Sequence, residues 1–243
     1  MRQKLFIALL LLALPLAQLK AQTHDFWNGI ETFDGPTDEN PILAAQIDFY
    51  FDKLVAPLPD SITLEIRRLV ERTENNTDLR DFILWHLLEK YRHPEYMSQD
   101  QVFVWLYDQY FSQLKIKDLN ERNLAMIREK AERLRRLTLL NPAPEIKLND
   151  TIDLQSVESA YTVLFFYDHT CDLCHQEMRD LDSVCNAHPE IAALKIDMND
   201  DAEGINELYD LYDIETTPLI YVLDKDKRII AKKIRAKQIP IIL

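Results

Sequence analysis

Cys171 and Cys174, two of the three cysteines in the chain, stand three residues apart with His175 directly after them in "FFYDHTCDLCHQEMRDL". Two chemistries use such a set. Cys-x-x-Cys-His attaches haem covalently, with the histidine as axial ligand, whereas Cys-x-x-Cys between a strand and a helix is a redox dithiol. The neighbours favour the dithiol. "YTVLFFYD", residues 161–168, is a continuous β-branched and aromatic run of the kind buried on both faces of a sheet, and an amphipathic segment with Met178, Leu181 and Val184 or Cys185 inward follows the pair. Haem is therefore not expected. A metal site is not expected either: Cys185 lies eleven residues beyond Cys174, roughly 16 Å along a helix, too far to share an ion or a disulfide with it. Cys185 reads as a small buried hydrophobe.

The start of a helix suits this chemistry. Unpaired N–H groups and the positive end of the dipole favour a thiolate there, so Cys171 is expected to be the exposed nucleophile. Cys174, one turn on, can then attack the mixed disulfide that Cys171 forms with a substrate, an intramolecular displacement favoured by its high effective concentration. Thr217-Pro218, just before the apolar run "LIYVL", supplies a second component. A proline opening a strand near a redox pair is a candidate cis peptide that presents backbone to an incoming chain.

Two halves with different patterning must position these groups. From Asn40 to about Leu139 the chain reads as five helices: Asn40 caps the first with Pro41 at its first position, Asp60 caps the second, Thr77 opens and caps the third, and Ser98/Gln101 and Asp118/Glu121 have capping-box spacing before the last two. Their regular spacing implies antiparallel neighbours in a compact bundle rather than a repeat array. Its aromatic residues, Trp85, Tyr91, Phe103 and Trp105 among them, read as core. Pro142 and Pro144 stop this pattern. Beyond them strand, helix, strand, helix and a hairpin turning at "DKDK" follow in order, with "IAALKIDM" as a second buried strand. That order implies parallel strands joined by helical crossovers and closed by an antiparallel hairpin.

Composition narrows the class further. Only three glycines occur, which argues against a turn-rich all-β protein and against glycine-rich phosphate loops. Residues 1–21, "MRQKLFIALLLLALPLAQLKA", have the basic start, short apolar run and small final residue of a signal peptide. Its removal leaves 25 basic against 41 acidic residues, a net charge of -16, unfavourable for nucleic acid and anionic membranes. The expected location is periplasmic, exported and soluble after cleavage. Three cysteines within 15 residues cannot make a disulfide framework for such a chain and mark a site instead.

Residues from about 143 to 234 resemble the thioredoxin-like family, in particular its exported, membrane-facing thiol-disulfide oxidoreductases of cytochrome c maturation and related reduction. The resemblance lies in "VLFFYDHTCDLCHQE", "YDIETTPLIYVLDKD" and "RIIAKKI". The N-terminal half, with "HDFWNGIETFD" and "VFVWLYDQYF", is similar to an uncharacterised helical domain that precedes such domains in exported Bacteroidetes proteins. The resemblance implies a mixed α/β sheet flanked by helices over 140–243, preceded by an all-α domain over 22–139. It implies attack by Cys171, resolution by Cys174 and substrate docking at Thr217 and Pro218, without a cofactor.

The departures from the family pattern are specific. Thr170 stands where Trp usually precedes the first cysteine, and Phe165 where thioredoxin has a buried acid. Glu177, at an acidic position of the exported branch and one turn from Cys174, becomes the candidate proton acceptor, exchanging through water. His175 reads as solvent-facing. Asp172, between the cysteines, disfavours the thiolate and tilts the pair towards reduction. Reduction or isomerisation of disulfides in exported proteins is thus the first reading, with those proteins and a membrane electron donor as partners. An envelope binding or assembly protein on a thioredoxin-like scaffold is the competing reading, and a thiol peroxidase the third. After Ile234 the segment "RAKQIPIIL" is too short for the helix that usually covers this sheet.

Overall fold

Asn40 ends the incoming chain and starts the first helix: its side-chain oxygen accepts the Leu43 N–H at 3.0 Å, and Pro41 occupies the first helical position. The computed structural model describes residues 26–30, 33, 35, 40–113, 115–148, 152–200 and 204–243. The expected signal peptide lies outside the described residues. Among those described, no helix is long and apolar enough to cross a membrane. Contacts divide the chain into two units, residues 1–120 and 121–243.

The first unit is helical: α1 (Pro41–Phe49), α2 (Pro59–Arg72), α3 (Thr77–Arg92) and α4 (Asp100–Leu106), with α1 and α4 each running on into a wider turn, Tyr50–Leu54 and Tyr107–Phe111. Three expected caps fall differently. Pro59 takes the first position of α2, so Leu58 is its cap and Asp60 sits in the first turn. Asn76 rather than Thr77 caps α3, accepting the Leu79 N–H at 3.1 Å. Gln99 is the cap of α4, without a side-chain hydrogen bond. Leu43, Ile47, Ile62, Ile66, Leu69, Leu84 and Leu88 are fully or almost fully buried, as the apolar stripes require. Phe103 is buried and Trp85 half-buried, donating to the Lys117 carbonyl at 2.9 Å.

The second unit begins with α5 (Glu121–Arg136), which the sequence pattern had grouped with the other helices. Its face of Ile127, Ala131 and Leu134 is buried, and so is Lys130. Leu137, just beyond its end, joins the core of the sheet with Leu164, Phe166, Tyr212 and Tyr221. Then come β1 (Tyr161–Tyr167), α6 (Asp172–Ala187), β2 (Ile191–Asp197), α7 (Ile205–Leu211), β3 (Leu219–Leu223), β4 (Ile229–Lys232), a tight turn at Ala236–Gln238 and α8 (Ile239–Ile242).

The four strands form one mixed sheet in the order β2-β1-β3-β4. Only β1 and β2 are parallel; β3 runs antiparallel to both β1 and β4. The expectation of parallel strands before the hairpin is corrected here, because α7 and the loop after it carry the chain across to the far side of β1 and return it reversed. β2 is an edge strand whose burial alternates from Leu194 onward, while β1 is buried throughout its middle and β3 along its whole length. The apolar run "IAALKIDM" therefore covers one face, not two. Val163, Phe165, Leu181 and Val184 are also buried. Alternation along β1 puts Val163 and Phe165 on the face opposite Leu164 and Phe166. Ala236 and Ile239 are buried, so the short C-terminal segment contributes to the core despite its length.

Candidate active site

β1 ends at Tyr167 and α6 begins at Asp172, and the four residues between them, Asp168 to Cys171, form a tight turn closed by the Cys171 N–H to the Asp168 carbonyl at 3.1 Å. Asp168 stiffens that turn from within. Its carboxylate accepts both the backbone N–H and the hydroxyl of Thr170, each at 2.7 Å, and those bonds lower its pKa. Thr170 thus has a local role at the position the family resemblance gives to Trp.

Cys171 is the N-cap of α6, with extended backbone (φ -95, ψ 117), and its sulfur accepts the Cys174 N–H at 3.1 Å. A cap acceptor that develops negative charge gains directly from such a bond. Cys171 is half-exposed and Cys174 fully buried, both as free thiols. The Cys174 thiol is pushed up in pKa, first by burial and also by the neighbouring Cys171, while the Asp168 amide and the Thr217 hydroxyl beside it pull it back. One thiol faces outward at the helix start and the other waits beneath it. This arrangement permits external attack at Cys171 and internal attack by Cys174.

The Thr217-Pro218 peptide is cis. Through the Thr217 hydroxyl its loop touches the redox pair, so the structure brings together Cys171, Cys174, Thr217 and Pro218 from segments more than forty residues apart. His175 is exposed, and its backbone N–H makes the first helical bond, to the Cys171 carbonyl at 3.1 Å. Cys185 is half-buried rather than fully buried, and burial raises its pKa.

Glu177 is placed otherwise than expected. The residue is only 5 % exposed, and its carboxylate accepts the Ala236 N–H and, at 3.2 Å, an Arg235 N–H. A sheltered carboxylate with both oxygens engaged anchors the C-terminal turn, where a water-exposed position was expected. Glu177→Ala should cost about 1–3 kcal/mol in urea unfolding by stranding the buried Ala236 N–H. Glu177→Gln, which keeps an acceptor, should recover most of it. Equal losses in the two variants would show that the charge, not the amide acceptor, matters.

Two groups at the site carry no motif. His169 Nδ1 lies 2.7 Å from an Asp197 carboxylate oxygen, joining the end of β2 to the turn before Cys171. Lys130 of α5 reaches the loop that leads to Thr217, with Nζ 2.8 Å from both Asp213 oxygens and 2.6 Å from Glu215. A lysine at the stripe position between Ile127 and Ala131 was a signal in the sequence; its partners were not. Among the described residues no cluster of His, Cys, Asp and Glu suits a metal ion.

Comparison with known proteins identifies the fold. No protein-family model matches the sequence, and no curated protein matches it. A thioredoxin-like protein from Bacteroides caccae superimposes with a TM-score of 0.71 at 14% identity, over 92% of this chain and 91% of that one, so the likeness extends beyond the C-terminal unit. A domain of a possible thiol-disulfide isomerase from Cytophaga hutchinsonii is 30% identical over 43% of this chain and 89% of its own, TM-score 0.36. The thioredoxin domain of a thiol-disulfide oxidoreductase from Bacteroides vulgatus is 18% identical over 41% and 90%, TM-score 0.37. The fold is thioredoxin-like: a mixed four-stranded sheet flanked by helices, in a chain whose first unit is helical.

Proposed function

We propose that the chain is a thiol-disulfide oxidoreductase that reduces or isomerises disulfides of exported proteins, with Cys171 as nucleophile and Cys174 as resolving thiol. The observation that carries the reading is the stacked pair: a half-exposed Cys171 sulfur on the helix N-cap, bonded to the Cys174 N–H, above a buried Cys174 that Thr217 touches. The Cys171 thiolate attacks one sulfur of a substrate disulfide; that S–S bond breaks, and the departing thiolate takes a proton. The Cys174 thiolate then attacks Cys171, breaking the mixed disulfide and releasing the second substrate thiol. Two electrons pass to the substrate and the chain keeps a Cys171–Cys174 disulfide. Thr217 and Pro218 flank the docking position. The signal-like N-terminal pattern and the acid-rich composition support a periplasmic setting with proteins rather than nucleic acid as partners.

Redox titration with alkylation and mass spectrometry tests this directly. The wild type should show one two-electron couple, absent in Cys171→Ser. A couple that survives in Cys171→Ser, or Cys171 and Cys174 that never pair across the titration, sinks the reading.

A further inference from the structure

Lys130 is a lysine where the helix pattern calls for an apolar residue, and its side chain is 3% exposed against 2% for its partner Asp213. Burying such a pair costs several kcal/mol per ion in lost hydration and is weak grounds for stability alone. What the pair supplies is geometry. All three ammonium donors meet oxygens of one short segment, two on Asp213 and one on Glu215. Lys233 Nζ, just beyond β4, and Arg133 Nε, one turn on from Lys130 in α5, approach Asp213 at 3.4 and 3.5 Å. Asp213 itself is held at φ 52, a left-handed conformation that Asn and Asp tolerate best among side chains with a Cβ.

From Glu215 only Thr216 intervenes before Thr217, a reach of at most about 7 Å, too short for one end to drift while the other stays. We infer that Lys130 is a positioning residue for the redox pair: by clamping Asp213 and Glu215 it holds the loop that places Thr217 beside the Cys174 sulfur, and so sets how fast Cys174 resolves a mixed disulfide. For its role in catalysis the inference rests on the exchange reading; for its geometry it does not. The groups facing the Cys174 sulfur are the Cys171 thiol, the Asp168 amide and the Thr217 hydroxyl. Of these, only Thr217 lies on the clamped loop. Burial opposes the Cys174 thiolate, so loss of one donor lowers its population directly.

Two substitutions of opposite charge effect, made in the full chain, test the clamp. Lys130→Met removes a positive charge; Asp213→Asn removes a negative one, keeps the shape and suits the left-handed backbone. A clamp acting through the loop predicts the same direction for both: the pH profile of Cys174 alkylation, read in a Cys171→Ser background, moves upward. Resolution of a mixed disulfide between Cys171 and a model cysteine peptide slows about fivefold, the equivalent of one ordinary hydrogen bond, while Cys171 alkylation in otherwise wild-type protein stays within about twofold. Charge acting through space predicts opposite directions, and that result overturns the clamp. So does an unmoved Cys174 profile in folded Asp213→Asn, which alone decides the matter if Lys130→Met does not fold. A wild type that forms no mixed disulfide defeats the exchange reading only, since the Cys174 profile remains measurable.

Discussion

Cys174→Ser should turn the mixed disulfide on Cys171 from a passing intermediate into a species that survives isolation. Its lifetime should lengthen by on the order of a thousandfold or more, because the resolving thiol acts intramolecularly and an external thiol must collide with a hindered bond. The substitution is mild: serine fills nearly the same fully buried space beside the Thr217 hydroxyl. The measurement is non-reducing electrophoresis of the full chain after exposure to oxidised exported proteins, with mass spectrometry of the adducts. Adducts should depend on Cys171 and vanish in Cys171→Ser/Cys174→Ser. If Cys185, half-buried on the same helix, carried them instead, or if none formed, the division of labour between Cys171 and Cys174 would be wrong. Adducts trapped from substrates in their oxidised state would also establish that electrons leave the pair.

Lys130→Met should be strongly destabilising, costing roughly 3–5 kcal/mol, because it takes the nearest cation from the Asp213 carboxylate where water cannot reach it and leaves only the longer contacts to Lys233 and Arg133. All three tryptophans, Trp27, Trp85 and Trp105, belong to the first unit, so their fluorescence reports that unit alone. Pulsed labelling of the buried Cys174 during urea unfolding reports the second. A loss below about half a kcal/mol would show the pair to be solvated. Acid sharpens the test. Burial works to raise the Asp213 pKa, but Lys130, with Lys233 and Arg133 behind it, overcomes that and holds it below the usual carboxylate value. A group depressed in the folded state stabilises above its unfolded value, about 4, and loses that contribution as pH falls through the folded value. Wild-type stability should therefore drop below pH 4. In Lys130→Met that acid-dependent drop should shrink, since the carboxylate has lost the nearest cation that favours its charged form.

Local chemistry was legible wherever neighbours in sequence are neighbours in space. Asn40 and Pro41 start a helix, the run 161–167 is buried, and Cys171 and Cys174 share one helix end, all within a turn or two of chain. Caps were less legible, because adjacent candidates such as Asn76 and Thr77 compete for one amide and packing chooses between them. The pattern of helix α5 is legible, but its contacts group it with the sheet rather than with the helices before it. An amphipathic stripe says that a face will be buried, not against what.

The sequence by itself determined that a dithiol would sit at a helix start beside a strand, in an acidic chain with a helical first half, since periodicity and spacing act within a few residues. Tertiary structure alone decided which groups surround that dithiol. It made Glu177 an anchor for the C-terminal turn, set the Thr217 hydroxyl and the Asp168 amide beside the Cys174 sulfur, and brought Lys130 to Asp213 across 83 residues. The reason is physical: a buried charge or thiol must find partners wherever the fold puts them. Those partners are chosen by strand order and loop reversal, which no local pattern encodes.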